Sequence, residues 1–300
     1  MTGPYRLEAR LKRYGIPYRG SKSRIAERIV SCFPEGNRFL DAMCGGGAIL
    51  HCVAESGKFE SVAGMEIDPQ MAMVLSYVMH GCLDRSHDEK ALLEWLPSEE
   101  FHRIKSVIGI PEGIRTILYS FATNRQDYLY SRDKEPIMRL VHEMACSDDI
   151  EERMATMRKL APFLKAGSLD KILRFDIVTR LRSMFETSER MRTAKQNVEV
   201  SVKTGSALDV PMEFYDGFDC IYFDPPYKNT RPYRNERFDF DAFDLLLSRL
   251  QESGKTVFVS ELREPVNGYS VVGRWELNHS VNKDSSHRVT ELLWKSGPAR

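Results

Sequence analysis

Long apolar runs are missing from the 300-residue chain. Spanning a bilayer takes ~18 or more consecutive apolar residues, so no membrane-crossing helix is expected. The opening residues, MTGPYRLEARLKRYG, have no apolar core and do not read as a signal peptide. Cysteine is sparse: Cys32, Cys44, Cys52, Cys82, Cys146 and Cys220 form no CxxC pair and sit among hydrophobic residues and glycine. They read as free thiols of a reducing, cytoplasmic compartment rather than as disulfides or zinc ligands. The seven histidines form no HExxH or other paired spacing, so no metal is expected. No GxGxxG follows a strand, which disfavours a dinucleotide oxidoreductase, and no Gly-Lys-Ser/Thr completes a phosphate-binding loop. Low-complexity segments and internal repeats are absent. Net charge is zero, with 43 basic and 43 acidic residues.

The charge is unevenly spread. Seven basic residues fall between Arg10 and Arg28 against Glu27 alone, and twelve between Glu151 and Lys203 against seven acids. Lys228, Arg231, Arg234 and Arg237 follow closely on one another. Such patches suit phosphate contacts as well as solvated surface. The length permits one large domain or a core carrying an insertion.

The most informative stretch is Phe218 to Tyr227, FDCIYFDPPY. Phe218, Cys220, Ile221, Tyr222 and Phe223 predict a buried strand. Pro225 and Pro226 stop it, because proline cannot continue a ladder. A loop at the carboxyl end of a parallel strand lies where open α/β sheets bind ligands. Asp224 and the Pro225 carbonyl can accept hydrogen bonds from a planar amine, and the Tyr227 ring offers a stacking face.

Earlier segments predict a compatible scaffold. Phe39 and Leu40 end a strand, Asp41 follows, and Gly45-Gly46-Gly47 leads into a helix from Ala48. That is a strand, glycine loop and helix, where backbone can approach a ligand closely. Val62 to Ile67 predicts a second strand, with Glu66 at the distance where an acid reaches ribose hydroxyls. Asp68 with Pro69 reads as a helix start. Gly20-Ser21 turns into a helix ending before Pro34, with Lys22 at its start. Residues 84–179 show helical spacing only, as in Ile114, Ile117, Leu118 and Phe121. Within them Asn124, Arg125 and Gln126 are residue types that read base edges, though such a loop is also ordinary surface. A basic helix around Ser183 to Ala194 precedes a strand at Val198 to Val202, and Phe243 to Leu250 reads as an amphipathic helix. Three strands are expected late, over Thr256 to Val259, Tyr269 to Val272 and Val289 to Trp294. A long polar loop, Asn278 to Ser286, is expected before the last of them.

PYRGSK, FLDAMCGGG, MEID and FDPPY stand in the order found in the Dam-like adenine-specific DNA methyltransferases, and the chain resembles that family on both sides of residues 84–179. The stretch His287 to Leu293 resembles the family's closing strand. The resemblance implies a Rossmann-like α/β methyltransferase sheet interrupted by a helical target-recognition domain. Residues 1–83 and 180–300 would form the catalytic domain and 84–179 the insertion. It implies S-adenosylmethionine as cofactor, held by Tyr18, Lys22, Asp41, Cys44, Gly45, Gly47, Glu66, Ser206 and Asp224. Asp224, Pro225, Pro226 and Tyr227 would be catalytic. Asn124, Arg125, Gln126, Lys228 and Arg231 would touch double-stranded DNA.

The implied activity is site-specific adenine-N6 methylation of a flipped-out base, as in restriction-modification, by a monomer in a bacterial or phage-infected cell. Two departures stand out: Ala42-Met43 where the family has Pro-Phe, and Thr204-Gly205-Ser206 where it often has Gly-Asp. The family's asparagine–glycine–leucine recognition signature is absent. The same fold acting on RNA or on a cytosine amine, and a catalytically silent DNA binder, remain open alternatives.

Overall fold

The computed structural model describes residues 12–163, 177–227, 238–282 and 285–298. Seven strands make one sheet: β1 (Gly36–Asp41), β2 (Phe59–Glu66), β3 (Glu199–Thr204), β4 (Cys220–Phe223), β5 (Thr256–Glu261), β6 (Tyr269–Asn282) and β7 (Ser285–Ser296). Their spatial order is β3-β2-β1-β4-β5-β7-β6. The first five run parallel, β7 is antiparallel to β5, and β6 is antiparallel to β7. This is the Rossmann-like α/β fold typical of S-adenosylmethionine-dependent methyltransferases, carrying helical insertions.

The parallel strands are apolar on both faces because helices cover both. Along β4, Cys220 and Tyr222 enter one core while Ile221 and Phe223 enter the other. Phe39 and Leu40 of β1 divide in the same way, as do Phe258 and Val259 of β5. Tyr222 is buried, so its hydroxyl needs a partner, and it donates to Ser260 Oγ at 2.7 Å.

The first core is covered by α1 (Ala26–Ser31), α2 (Ala48–Ser56), α3 (Pro69–Met79) and α9 (Ile177–Ala194), and the second by α10 (Met212–Asp216) and α11 (Phe240–Glu252). The expected helix through Lys22 is broken into a single 3-10 turn, Lys22–Arg24, and α1. Ser21 accepts from the Ser23 N–H to start that turn. The Lys58 ammonium caps the far end of α1, donating to the Val30 carbonyl at 2.9 Å and the Phe33 carbonyl at 2.6 Å.

Between α3 and α9 lie α4 (Arg85–Leu92), α5 (Ser98–Ile104), α6 (Ile110–Leu118), α7 (Glu135–Cys146) and α8 (Ile150–Leu160). Among the described residues this run holds no strand, only the isolated bridge Ser120–Tyr128. The polar loop expected at Asn278 to Ser286 is corrected: β6 and β7 continue through it, pairing Asn278 with Arg288 and Ser280 with Ser286.

The strand order reverses between β1 and β4. In open α/β sheets that switch opens a crevice outside the carboxyl ends of the strands. Asp41 pairs in register with Tyr222, which brings the end of β1 level with the end of β4.

Candidate functional site

Three acids stand at the carboxyl ends of neighbouring strands: Asp41 ends β1, Glu66 ends β2, and Asp224 follows β4. Into this edge the turn Lys22–Arg24 delivers a buried ammonium from 202 positions away in sequence. Lys22 Nζ donates to Asp224 Oδ1 at 2.6 Å, Asp224 Oδ2 at 2.8 Å and the Tyr227 hydroxyl at 2.8 Å. It also lies 3.5 Å from Glu291 Oε1 on β7. The Tyr227 hydroxyl in turn donates to the Glu291 carboxylate, with oxygens at 2.9 and 2.8 Å. The phenol ring is therefore tethered at its polar end.

One ammonium serves two carboxylates here, and the proton affinities follow. Burial works against the Lys22 cation, but the charges of Asp224 and Glu291 outweigh it and raise its pKa. Burial pushes Asp224 up to about 6, Glu291 adds repulsion, and Lys22 opposes both. Asp41 is raised well above the ordinary carboxylate range, first by burial and then by the charge of Asp224, while the backbone amides of Leu50 and Met43 oppose. Its Oδ1 is buried and has no hydrogen-bond partner. An orphaned acceptor beside two further acids suits a ligand that brings positive charge or donors.

The glycine loop is covered by the chain that precedes Lys22. Gly45 and Gly47 have φ of 49° and 69°, which favour glycine. A Cβ on Gly45 would stand 2.6 Å from Tyr18 Cε1, so the Tyr18 ring lies directly on the loop. Ile16 N–H donates to the Gly46 carbonyl at 2.8 Å. Gly15 N–H donates to His51 Nδ1 at 3.0 Å, which leaves the ring proton on Nε2, facing Glu55 Oε1 at 3.2 Å. Burial lowers the His51 pKa and keeps the ring neutral for this task.

The other candidates take varied places. Cys44 turns its thiol beneath the loop, with Sγ 3.1 Å from where a Cβ on Gly64 would stand, so it packs rather than faces the crevice. Burial raises that thiol's pKa and keeps it protonated. Glu66 is buried, and its Oε1 accepts the Asp68 N–H at 3.0 Å. Gly205 N–H donates to the Glu66 carbonyl at 3.0 Å, bringing Ser206 beside the end of β2. Ser206 Oγ accepts the Leu208 N–H at 3.2 Å. Pro225 is buried and Pro226 half-buried.

Asn124 and Arg125 were expected to face a nucleic acid, and in the structure both have partners within the protein. Asn124 Oδ1 accepts the N–H groups of Gln126 at 2.9 Å and Asp127 at 3.0 Å, so it builds its own turn. Arg125 is buried and pairs with Asp68 at 2.6 Å. Gln126 is exposed. Lys228 and Arg231 lie outside the described residues.

Glu291 escaped the sequence reading, although a signal existed. It is a lone acid in the apolar run Val289 to Trp294, and a charge in a buried strand needs a partner. Among the described residues no group of histidine, cysteine, aspartate and glutamate side chains could hold a metal ion. No helix there is long and apolar enough to cross a membrane.

No family model matches the sequence, and no curated protein matches it either. Solved structures of similar fold include the rRNA methyltransferase aviRa of Streptomyces viridochromogenes, 11% identical, TM-score 0.41, over 93% of this chain and 86% of that one. A provisionally named RNA methyltransferase of Pyrococcus horikoshii is 10% identical, TM-score 0.40, over 96% of this chain and 91% of that one. A provisionally named methylase of Haemophilus influenzae is 12% identical, TM-score 0.33, over 91% of this chain and 89% of that one.

These likenesses bear on fold alone. They correct the expected assignment to the Dam-like DNA adenine methyltransferases, and with it adenine-N6 methylation, duplex DNA as partner and a place in restriction-modification. No family model upholds that assignment, and the polymer named among these fold neighbours is RNA. Four short motifs in the right order point to a scaffold. They do not identify the polymer that reaches it.

Proposed function

We propose that the chain is an S-adenosylmethionine-dependent methyltransferase acting on the exocyclic amine of a nucleobase in RNA. The observation that carries this reading is the Lys22–Asp224–Tyr227–Glu291 cluster beside the orphaned Asp41 oxygen. S-adenosylmethionine carries a sulfonium and an ammonium, and an edge lined by Asp41, Glu66 and Asp224 suits two positive charges. When bound, it supplies an electrophilic methyl group. Tyr18 and the glycine loop would hold its amino-acid end, Glu66 its ribose and the exposed Ile67 one face of its adenine.

The protein's own residues then prepare the amine. Asp224 and the Pro225 carbonyl accept its hydrogen bonds and hold its lone pair toward the methyl group, so positioning does most of the work. Lys22 fixes the Asp224 carboxylate in place from the opposite side. Tyr227, pinned through its hydroxyl, presents a rigid ring on which the base stacks, a contact of ~1–3 kcal/mol. As the amine becomes cationic on methylation, Asp224 stabilises the charge and can take the proton. The raised pKa suits that last step, because a carboxylate poised near 6 accepts a proton more readily than one near 4.

RNA suits this site on physical grounds. Unpaired bases in RNA loops are already splayed, so they avoid the few kcal/mol of unstacking that a duplex demands. A chain of zero net charge with only local basic patches is matched to a short stretch of phosphates. The test is transfer of labelled methyl from S-adenosylmethionine to total RNA and, separately, to DNA, with the nucleosides resolved. Label in an N-methylated base from RNA, lost in Asp224→Ala, is the expected result. Label confined to DNA, or to the ribose, overturns the reading.

A further inference from the structure

The segment Ser120–Tyr128 forms a narrow hairpin beyond α6. An antiparallel bridge joins its ends, and Phe121 N–H donates to the Asp127 carbonyl at 2.8 Å. At its tip Thr123 and Arg125 adopt φ of 56° and 57°. This left-handed region disfavours residues with a Cβ, most of all β-branched ones. Glycine would make such a turn at lower cost, yet neither position is glycine.

The conformation aims one side chain inward. Arg125 is 6% exposed, its Nη1 lies 2.6 Å from Asp68 Oδ2, and its Nε donates to Thr116 Oγ1 at 3.4 Å. Asp68 is the N-cap of α3, accepting from the Gln70 and Met71 N–H groups. Its own N–H donates to Glu66 Oε1 at 3.0 Å. A continuous path therefore runs from the hairpin tip through Asp68 to the acid that ends β2.

General packing does not require that path. α3 and α6 are already joined where Gln70 Nε2 donates to the Gly109 carbonyl at 2.6 Å and Gly109 N–H donates to Gln70 Oε1 at 3.2 Å. Gly113 fits against Gln70 and Val74 so closely that a Cβ would stand 2.0 Å from Gln70 Nε2. Arg125 adds its ion pair with Asp68 and its bond to Thr116 to elements that already dock, and it does so from a costly backbone. Unfavourable backbone conformations of this kind gather where a site needs its geometry fixed.

We propose that Arg125 is a positioning residue for the cofactor: through Asp68 it sets the orientation of Glu66, so the inserted helices tune cofactor affinity at the end of β2. The inference rests on the reading of the crevice as an S-adenosylmethionine site. It would also give a polymer that moves the hairpin a route to the cofactor pocket, and such coupling is reciprocal.

The test is titration calorimetry of the full chain with S-adenosylhomocysteine, alongside thermal melts without ligand. Arg125→Met and Asp68→Asn should each weaken binding about tenfold. Asparagine still caps a helix, so Asp68→Asn keeps α3 intact and separates the ion pair from folding. The double variant should be no weaker than either single one, because both remove the same link. Arg125→Lys should recover part of the affinity by restoring a cation.

Unchanged affinity in Arg125→Met or Asp68→Asn, with only a lower melting temperature, would reduce Arg125 to a structural role and overturn the proposal. Fully additive losses would overturn it too. Failure of the unaltered protein to bind either S-adenosylhomocysteine or S-adenosylmethionine would overturn the underlying site reading as well, and that outcome is recognised before any variant is compared.

Discussion

Replacing Lys22 by methionine removes the ammonium shared by Asp224 and Glu291 while nearly preserving side-chain volume. In the native protein Lys22 makes contacts of 2.6 and 2.8 Å to Asp224, 2.8 Å to Tyr227 and 3.5 Å to Glu291. Removing one partner of a buried ion pair typically costs ~3–5 kcal/mol when the other stays ionised. The orphaned carboxylate can instead take up a proton, at ~1.4 kcal/mol for each unit between its pKa and the pH.

Asp224 already titrates at about 6 in the folded protein, above its ordinary 3.8. Between these values the folded state binds more protons than the unfolded state. The stability this confers is complete below ~4 and lost as pH rises through ~6. Without Lys22 the folded pKa moves further up, so the loss continues to higher pH.

Urea unfolding of both proteins from pH 5 to 8.5 should give curves that separate by ~3–5 kcal/mol at pH 8. Near pH 5 they should approach to ~1–2 kcal/mol, the residue of the lost hydrogen bonds. A gap that stays constant across the range would refute the idea that Lys22 acts mainly by holding Asp224 ionised.

Tyr227→Phe keeps the stacking ring but leaves Glu291 without its hydroxyl donor. Unfolding free energy should drop by ~1–3 kcal/mol, and KM for RNA should rise more than kcat falls. A variant equal to the parent in both would deny the tether any role. Gly45→Ala forces a Cβ to within 2.6 Å of Tyr18 Cε1 at φ 49°, so the melting temperature should fall and cofactor binding weaken together. An unchanged dissociation constant would separate Tyr18 from the pocket.

Cofactor affinity should increase from pH 5 to 7, because bound positive charge favours the ionised form of Asp224. The increase should be steeper for S-adenosylmethionine than for S-adenosylhomocysteine, which lacks the sulfonium. Identical pH dependence for the two ligands would count against Asp224 lying beside the sulfonium.

Local order was legible in the sequence wherever one segment carried its own explanation. FDCIYF predicts a strand buried on both faces, and Gly45-Gly46-Gly47 after Asp41 predicts a tight strand-to-helix passage. Both appear, at β4 and between β1 and α2. Asp68 with Pro69 predicts a capped helix and caps α3.

What could not be read were encounters between distant segments. Lys22 meets Asp224 across 202 positions, and Tyr227 meets Glu291 across 64. No periodicity encodes either meeting, because both depend on the sheet bringing its strand ends together. Arg125 misled for a related reason. Its residue type suggests an outward reader of bases, but a left-handed backbone turns it inward to Asp68. The polymer was illegible as well, since Asp-Pro-Pro-Tyr, on the proposed reading, speaks to how an amine is held and leaves open what carries the amine.

The most direct test pairs two readings on one preparation of Asp224→Ala: the rate of methyl transfer to RNA and the affinity for S-adenosylhomocysteine, each set against the unaltered protein. Transfer should fall by a thousandfold or so, roughly the scale of losing a principal charge-stabilising group, while the affinity shifts by less than about tenfold. Equal losses in both, or transfer that survives the substitution, would contradict the claim that Asp224 holds the reacting amine.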